Sequence, residues 1–444
     1  MDPSLFLPQF GNFAFTIAAF VVALSIIVAV HEYGHYIVGR WCGIHAEVFS
    51  LGFGPVLYSR VDRRGTRWQI AALPFGGYVK FLGDANAASV GGREVAAAKR
   101  RQTMLGAPLW ARTVTVAAGP LFNFALSMLV FCAVIMAQGR PTDPVRIATV
   151  ADLPAAIAHD LRPGDEVLAI AGRPVSAAEG FFTVEGDDPV SGAVVDYLIR
   201  RDGTEIMVPG PNPYLPIVGG LNPSSAAFDV GLQGDDVILS VDGTPVTAFN
   251  ELVQVIVTSD GRPLLFQVWR AGEVLDFTIV PRRQDLPLPE GGFETRWLAG
   301  ISGGMIFTME TQSPGLLTAL GDSLAQVWFI ITSSLSGLGH IITGAISTCN
   351  LSGPVGIAEA SGAMASQGIL DFIWFVAVLS TAVGLLNLFP VPMLDGGHLV
   401  FYAWEGVTRR PPSDGALRVL MAVGLSLILA LTAFALANDL FLCP

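Results

Sequence analysis

The run His31-Glu32-Tyr33-Gly34-His35 sets two imidazoles four residues apart with a carboxylate beside the first. On a helix, positions i and i+4 share a face, so both rings can reach one Zn²⁺ at about 2.0–2.1 Å. Glu32 then stands next to the metal, where it can take a proton from water and pass it to a leaving amine. The bland reading is a pair of histidines hydrogen-bonded inside a helix bundle, with Glu32 in a headgroup layer. Three ionisable groups within five residues, continuous with an apolar stretch, are costly unless compensated, and this favours the metal. A catalytic zinc wants a third protein ligand and one open position. The segment Asn387 to His398 (NLFPVPMLDGGH) offers Asp395, where Pro390 and Pro392 end an apolar helix and a carboxylate emerges among glycines. Taken alone, Asp395-Gly396 is a turn at a membrane surface. Beside HExxH it reads as the carboxylate of a His2Asp site. His45, His159 and His340 fall outside any ligand spacing, and His398 reads as support for Asp395 or as packing.

These groups sit on membrane-length elements. Of the 444 residues, 52% are hydrophobic and only 14% charged, too apolar for a purely soluble chain. Stretches long enough to cross a hydrocarbon core of about 30 Å occur near 13–38, 113–137, 369–389 and 419–437, so four spans are expected. The first has neither a basic leader nor a small-residue cleavage site and runs into HEYGH, so it reads as retained. Residues 39–112 carry 11 Lys or Arg against four Asp or Glu, which places that loop in the cytoplasm. Both termini and the long segment 138–368 then lie outside. That segment has 26 acidic and 11 basic residues and holds most of the net charge of −12, so nucleic acid is excluded as a natural partner. The four cysteines, Cys42, Cys132, Cys349 and Cys443, show no CxxC spacing, and neither a disulfide framework nor a cysteine metal site is expected.

Between the second and third spans lies an internal repeat. Pro163 to Val175 (PGDEVLAIAGRPV) overlays Gln233 to Val246 (QGDDVILSVDGTPV), each copy reading as turn, strand, turn and strand start. The pattern resembles bacterial PDZ domains, which take extended peptides by strand addition; the alternative is a pair of spacers or size filters. Residues 315–346 are apolar but broken by Asp322, Gln326 and His340, and read as a helix lying in the interface, with a spanning helix as the alternative. Between spans one and two, Gly52 to Pro55 and Trp68 to Asp84 read as β-hairpins.

HExxH in the first span together with N-x-x-P-x-P-x-L-D-G in the third resembles the site-2 protease family of intramembrane zinc metalloproteases. Four spans with tandem PDZ domains inserted resemble its regulator of sigma-E protease (RseP) branch, over essentially the whole chain. The resemblance implies zinc on His31, His35 and Asp395, Glu32 as catalytic base, and Asn387 supporting substrate or transition state. A helix-packing amide is the other reading of Asn387. It also implies a re-entrant sheet beside the zinc; an edge of that sheet can hold an unwound substrate as an added strand, the other reading being an ordinary cytoplasmic hairpin packed under the bundle. Single-span membrane proteins already trimmed outside, such as an anti-sigma factor, and leftover signal peptides become the expected substrates. Gly119-Pro120-Leu121-Phe122-Asn123 and Ser352 to Ile357 (SGPVGI) also resemble the family and read as packing and turn elements.

The expected fold is thus an α-helical polytopic membrane protein with membrane-associated β-hairpins and two inserted β-rich PDZ domains. Its parts are a first transmembrane helix with HExxH (1–39), a cytoplasmic or re-entrant hairpin region (40–112) and a second transmembrane helix (113–138). PDZ domains at 140–212 and 213–285 follow, then a linker with interfacial helices (286–365). A third transmembrane helix (366–398), a cytoplasmic loop (399–417) and a fourth transmembrane helix (418–438) complete it. The expected setting is a bacterial inner membrane with the PDZ domains periplasmic and peptides or unfolded segments as their ligands. The rival functions are a membrane metal transporter or sensor and a non-catalytic PDZ scaffold.

Overall fold

The computed structural model describes residues 7–83, 97–157, 159–176, 183–184, 190, 192–223, 225–287 and 293–442. The chain divides into two compact units, one of residues 1–134, 317–339 and 351–444, the other of residues 135–316 and 340–350.

In the first unit, α1 (Leu7–Trp41) is a single 35-residue helix with HEYGH in its last three turns. It stops at Gly43, whose φ of +81° suits glycine. The Gly43 N–H donates to Arg40 O and the Ile44 N–H to Gly39 O, a Schellman closure that satisfies two end carbonyls. The chain then enters β1 (Ala46–Val61) and β2 (Arg67–Phe81), an antiparallel pair. Both strands bend, so residues 67–71 pair with 56–61 on one side and with 48–51 on the other, while 77–81 pair with 46–51. The result is a small curled sheet in which 77–81 forms an edge. Buried Ser50 takes a hydrogen bond from Gln69 Nε2, and Thr66 Oγ1 donates to Ala46 O, so the sheet's inner polar groups are matched. Its outer face leaves Leu57, Tyr58 and Val61 exposed. The helix α2 (Leu109–Gln138) carries Pro120 in its interior.

The second unit is β-rich. In the first repeat, strands Glu166–Ile170, Val194–Arg201 and Thr204–Pro211 form one antiparallel run. In the second, Val237–Val241, Leu264–Arg270 and Glu273–Ile279 do the same. The repeat extends to side chains. Asp165 and Asp236 are both buried. Each accepts the N–H three residues before it, Arg162 or Gln233, and pairs with an arginine on the strand that follows, Arg201 at 2.7 Å or Arg270 at 2.6 Å. A buried carboxylate is tolerated here because its oxygens are satisfied by both backbone and guanidinium. The second copy also holds α3 (Ala226–Asp229) and α4 (Phe249–Val257). Residues 177–182 and 185–189 of the first copy lie outside the described residues.

The β-rich unit extends past the boundary expected at residue 285. Arg282–Pro287 pairs with Phe293–Leu298, and Ile301–Gly303 pairs with Val218–Leu221 of the second copy. Phe307–Met309 and Thr311–Gln312 return to Val145–Val150 and Arg140–Pro141 at the start of the first copy. Phe293–Leu298, Ile301–Gly303, Phe307–Met309 and Thr311–Gln312 are therefore strands where a linker was expected.

The chain continues through α5 (Leu316–Ile342), α6 (Pro354–Gln367), α7 (Ile369–Asn387), α8 (Asp395–Thr408) and α9 (Asp414–Ala437). In α1, Ala23 and Ile27 pack on Val376 of α7, and Gly362 lets α6 approach Thr16. Asp439 caps α6 from beyond α9, accepting the N–H groups of Gly353, Val355 and Gly356. That contact accounts for the SGPVGI segment. Among the described residues, five helices are long and apolar enough to cross a membrane: the four expected from the sequence and α5, which is unbroken over 27 residues. The cysteine expectation needs one correction. Cys349 is disulfide-bonded, while Cys42 and Cys132 are free. Pairing depends on proximity in the fold, which cysteine spacing does not report.

Candidate metal centre

Three side chains from two distant parts of the sequence meet in the first unit. His31 Nε2 lies 3.1 Å from His35 Nε2 and 3.1 Å from Asp395 Oδ2, and His35 Nε2 lies 3.4 Å from the same oxygen. Ligand atoms about 2.0–2.1 Å from a tetrahedral ion stand about 3.3 Å apart, so the triangle has the size of a zinc face. Asp395 Oδ2 is buried, and its nearest polar neighbours are the two imidazole nitrogens of the triangle. Among the described residues, this is the one group of His, Cys, Asp and Glu able to hold a metal ion.

Each of the three side chains is aimed by its own backbone. The two histidines share a face of α1, as i and i+4 residues must. His35 Nδ1 donates to Thr115 O at 2.9 Å, which fixes the ring with Nε2 facing the triangle. Asn123 of α2 approaches His31 Nδ1 at 3.2 Å. Between them Gly119 leaves room for both rings, since a Cβ there would lie 2.3 Å from His35 Nε2 and 2.8 Å from His31 Cε1. Asp395 is the first residue of α8, where the helix dipole favours a carboxylate. The turn ahead of it is tight. A Cβ on Gly396 would meet Leu388 O at 2.3 Å and one on Gly397 would meet Val391 O at 2.4 Å, which explains the paired glycines. Arg112 of α2 clamps the far end of α8 through a bidentate pair with Glu405 at 2.7 and 3.0 Å.

Glu32 packs against the edge strand 77–81, with its Cγ 3.2 Å from where a Cβ on Gly77 would stand, and it takes a hydrogen bond from the backbone of Val79. Asn387 ends α7 and donates to Val383 O at 3.1 Å. No hydrogen bond joins it to the triangle among the described residues. Thr115, Gly119 and Asn123 were not expected at the site, the last two reading from sequence as packing. The readable signal is their i, i+4, i+8 spacing, which matches the i, i+4 spacing of the two histidines on a facing helix.

The sequence matches peptidase family M50 over residues 19–431. The chain belongs to this family. A Rhizobium meliloti protein provisionally named a zinc metalloprotease is 35% identical over 436 residues, covering 97% of each chain. A protein of the same provisional name from Agrobacterium fabrum is 35% identical over 433 residues, covering 96% of this chain and 95% of the relative. The regulator of sigma-E protease RseP of Salmonella typhimurium is 30% identical over 463 residues, covering 95% of this chain and 98% of its own. This M50 chain is a zinc-dependent metalloprotease and a multi-pass membrane protein.

Proposed function

We propose that His31, His35 and Asp395 hold the zinc and that Glu32 is the general base for cleavage of a peptide bond in or beside a substrate's transmembrane segment. The observation that carries this reading is the triangle of Nε2, Nε2 and Oδ2, sized for one ion and converging from two distant parts of the sequence. Bound there, zinc supplies a Lewis acid that polarises the scissile carbonyl and acidifies water. Glu32, beside the triangle, accepts a proton from the attacking water and returns it to the amide nitrogen as the C–N bond breaks. Asn387, at the end of α7, serves the oxyanion side, and its present bond to Val383 O is the weak intrahelical kind that a substrate carbonyl can replace.

A peptide held in a helix hides its carbonyls, so the substrate must unwind before attack. The edge of strand 77–81 lies against Glu32, and an extended substrate segment added there would pass the zinc ligands. The substrates of this reading are single-span membrane proteins already shortened outside the membrane, such as an anti-sigma factor, and residual signal peptides. The β-rich unit serves as a pair of periplasmic PDZ domains that bind peptide or exclude bulky ectodomains, in a bacterial inner membrane. The basic 39–112 loop supports that orientation, as does a disulfide at Cys349, which fits an oxidising compartment. The test compares wild type with Glu32→Gln on a tagged single-span substrate in liposomes, with zinc measured on both. Loss of cutting with about one zinc retained is expected; equal cutting by the variant would refute the assignment.

A further inference from the structure

Asn123 lies on α2 and carries no charge, yet its amide is directed at the back of His31. The side chain is fully buried, with Nδ2 3.2 Å from His31 Nδ1 and Oδ1 without any hydrogen-bond partner. A buried amide oxygen with no donor is costly, so its orientation needs a reason. Nitrogen and oxygen of an amide are exchanged by a half-turn about the last bond, and the hydrogen-bond network decides between them. A His31 that presents a bare Nε2 to a metal carries its proton on Nδ1, and that proton needs an acceptor. The half-turn supplies it by bringing Oδ1 to Nδ1–H.

The backbone around Asn123 is held for this task. Its carbonyl oxygen accepts from Ser127 Oγ at 3.0 Å and from Ser380 Oγ of α7 at 3.0 Å. Gly384 of α7 closes over its Cβ. Two helices therefore fix where the amide starts, and a side chain with two torsions has little freedom left. His35 shows the same device in backbone form, with Nδ1 on Thr115 O, so α2 grips both imidazoles from behind in antiparallel register: His35 at 115 and His31 at 123.

We infer that Asn123 is a positioning residue for the metal centre, accepting the Nδ1 proton of His31 through its side-chain oxygen and so holding His31 in the tautomer that binds metal. This rests on His31 being a ligand, as proposed above. The test is metal affinity of the purified full chain in detergent, by chelator competition with Zn²⁺ and by the visible absorption of the Co²⁺ form. Asn123→Leu and Asn123→Ala remove the acceptor, the second without added bulk, and each should weaken Zn²⁺ binding by about 10- to 100-fold and shift the Co²⁺ bands. Asn123→Asp keeps an acceptor for Nδ1–H and should hold affinity within about threefold of wild type. Wild-type affinity in Leu and Ala variants would overturn the inference, and so would an Asp variant as weak as Leu, since a packing role predicts that burying a carboxylate is at least as harmful. His31→Ala is the control. If it keeps zinc, the ligand assignment fails; if it loses zinc while Leu and Ala variants keep it, only the role of Asn123 fails.

Discussion

Gly119→Ala tests the idea that α2 shapes the site without supplying a ligand. The added Cβ would stand 2.3 Å from His35 Nε2, 2.5 Å from His35 Cε1 and 2.8 Å from His31 Cε1, where ordinary contact begins at 3.4 Å. His35 must therefore retreat by about 1 Å, a displacement that stretches its 2.9 Å bond to Thr115 O past hydrogen-bonding range. Rotating the ring instead turns Nε2 away from Asp395. Overpacking of this kind costs about 1–3 kcal/mol in a tight core. The chemical cost is larger, because a misplacement of about 1 Å at a reacting centre lowers rate about 100-fold. The variant should bind zinc at least about 10-fold more weakly and cut a single-span reporter about 100-fold more slowly. Gly337→Ala in α5 is the matched control, since nothing lies within 4 Å of its new methyl, and helix propensity predicts a gain of up to about 1 kcal/mol. Both variants are assayed by elemental analysis of zinc per protein and by initial rates in liposomes. Wild-type zinc content and wild-type rate in Gly119→Ala would show that the rings do not sit against α2 as described.

Two other perturbations reach the supports of the site and of the β-rich unit. Arg112→Met strips the partner from Glu405, a pair whose side chains are only 11% and 19% exposed; the loss should be about 2–3 kcal/mol after discounting for that exposure, and Arg112→Met with Glu405→Met should recover part of it, read by thermal unfolding in detergent. Failure of the double variant to improve on the single would deny the pair its role. Glu251 accepts the backbone N–H groups of Thr247 and Ala248, and the first of these is the main reason that its carboxyl is held below the ordinary range. A depressed folded pKa gives stability that is present above about pH 4.3 and disappears as pH falls through the lowered value. The fall in stability of the full chain from about pH 4.3 down to that lowered value should therefore be shallower in Glu251→Gln, and an unchanged profile would refute the capping argument.

Much of the site is legible in the sequence because its signals are short and local. HEYGH needs only the helical i, i+4 rule. Asp395 is marked by the prolines that end α7 and by Gly396 and Gly397, which the fold explains as close contacts with Leu388 O and Val391 O. The β-rich repeat is visible because its turn chemistry recurs: Ala171-Gly172 and Asp242-Gly243 both take positive φ, and Asp165 and Asp236 both anchor arginines. What escapes is long-range pairing. Phe307–Met309 is three residues long and finds its partner at Val145–Val150, too short for a periodic signal and too distant for a turn signal. Cys349 gives no hint of its bond for the same reason.

The grip of α2 on the imidazoles escapes because it is a property of two helices in register and not of either sequence. Positions 115, 119 and 123 advance by about 40° per step around a helix of 3.6 residues per turn. They form one narrow stripe, and turning α2 by a single residue, about 100°, would carry the Thr115 carbonyl, the Gly119 gap and the Asn123 amide away from His35 and His31 together. Leu121 lies on the opposite side and is 57% exposed, as a lipid-facing residue of a membrane-embedded family would be. The two faces therefore answer to different constraints: Leu121 has only to be apolar, whereas Gly119 is confined by the rings of both His31 and His35 and Asn123 by that of His31.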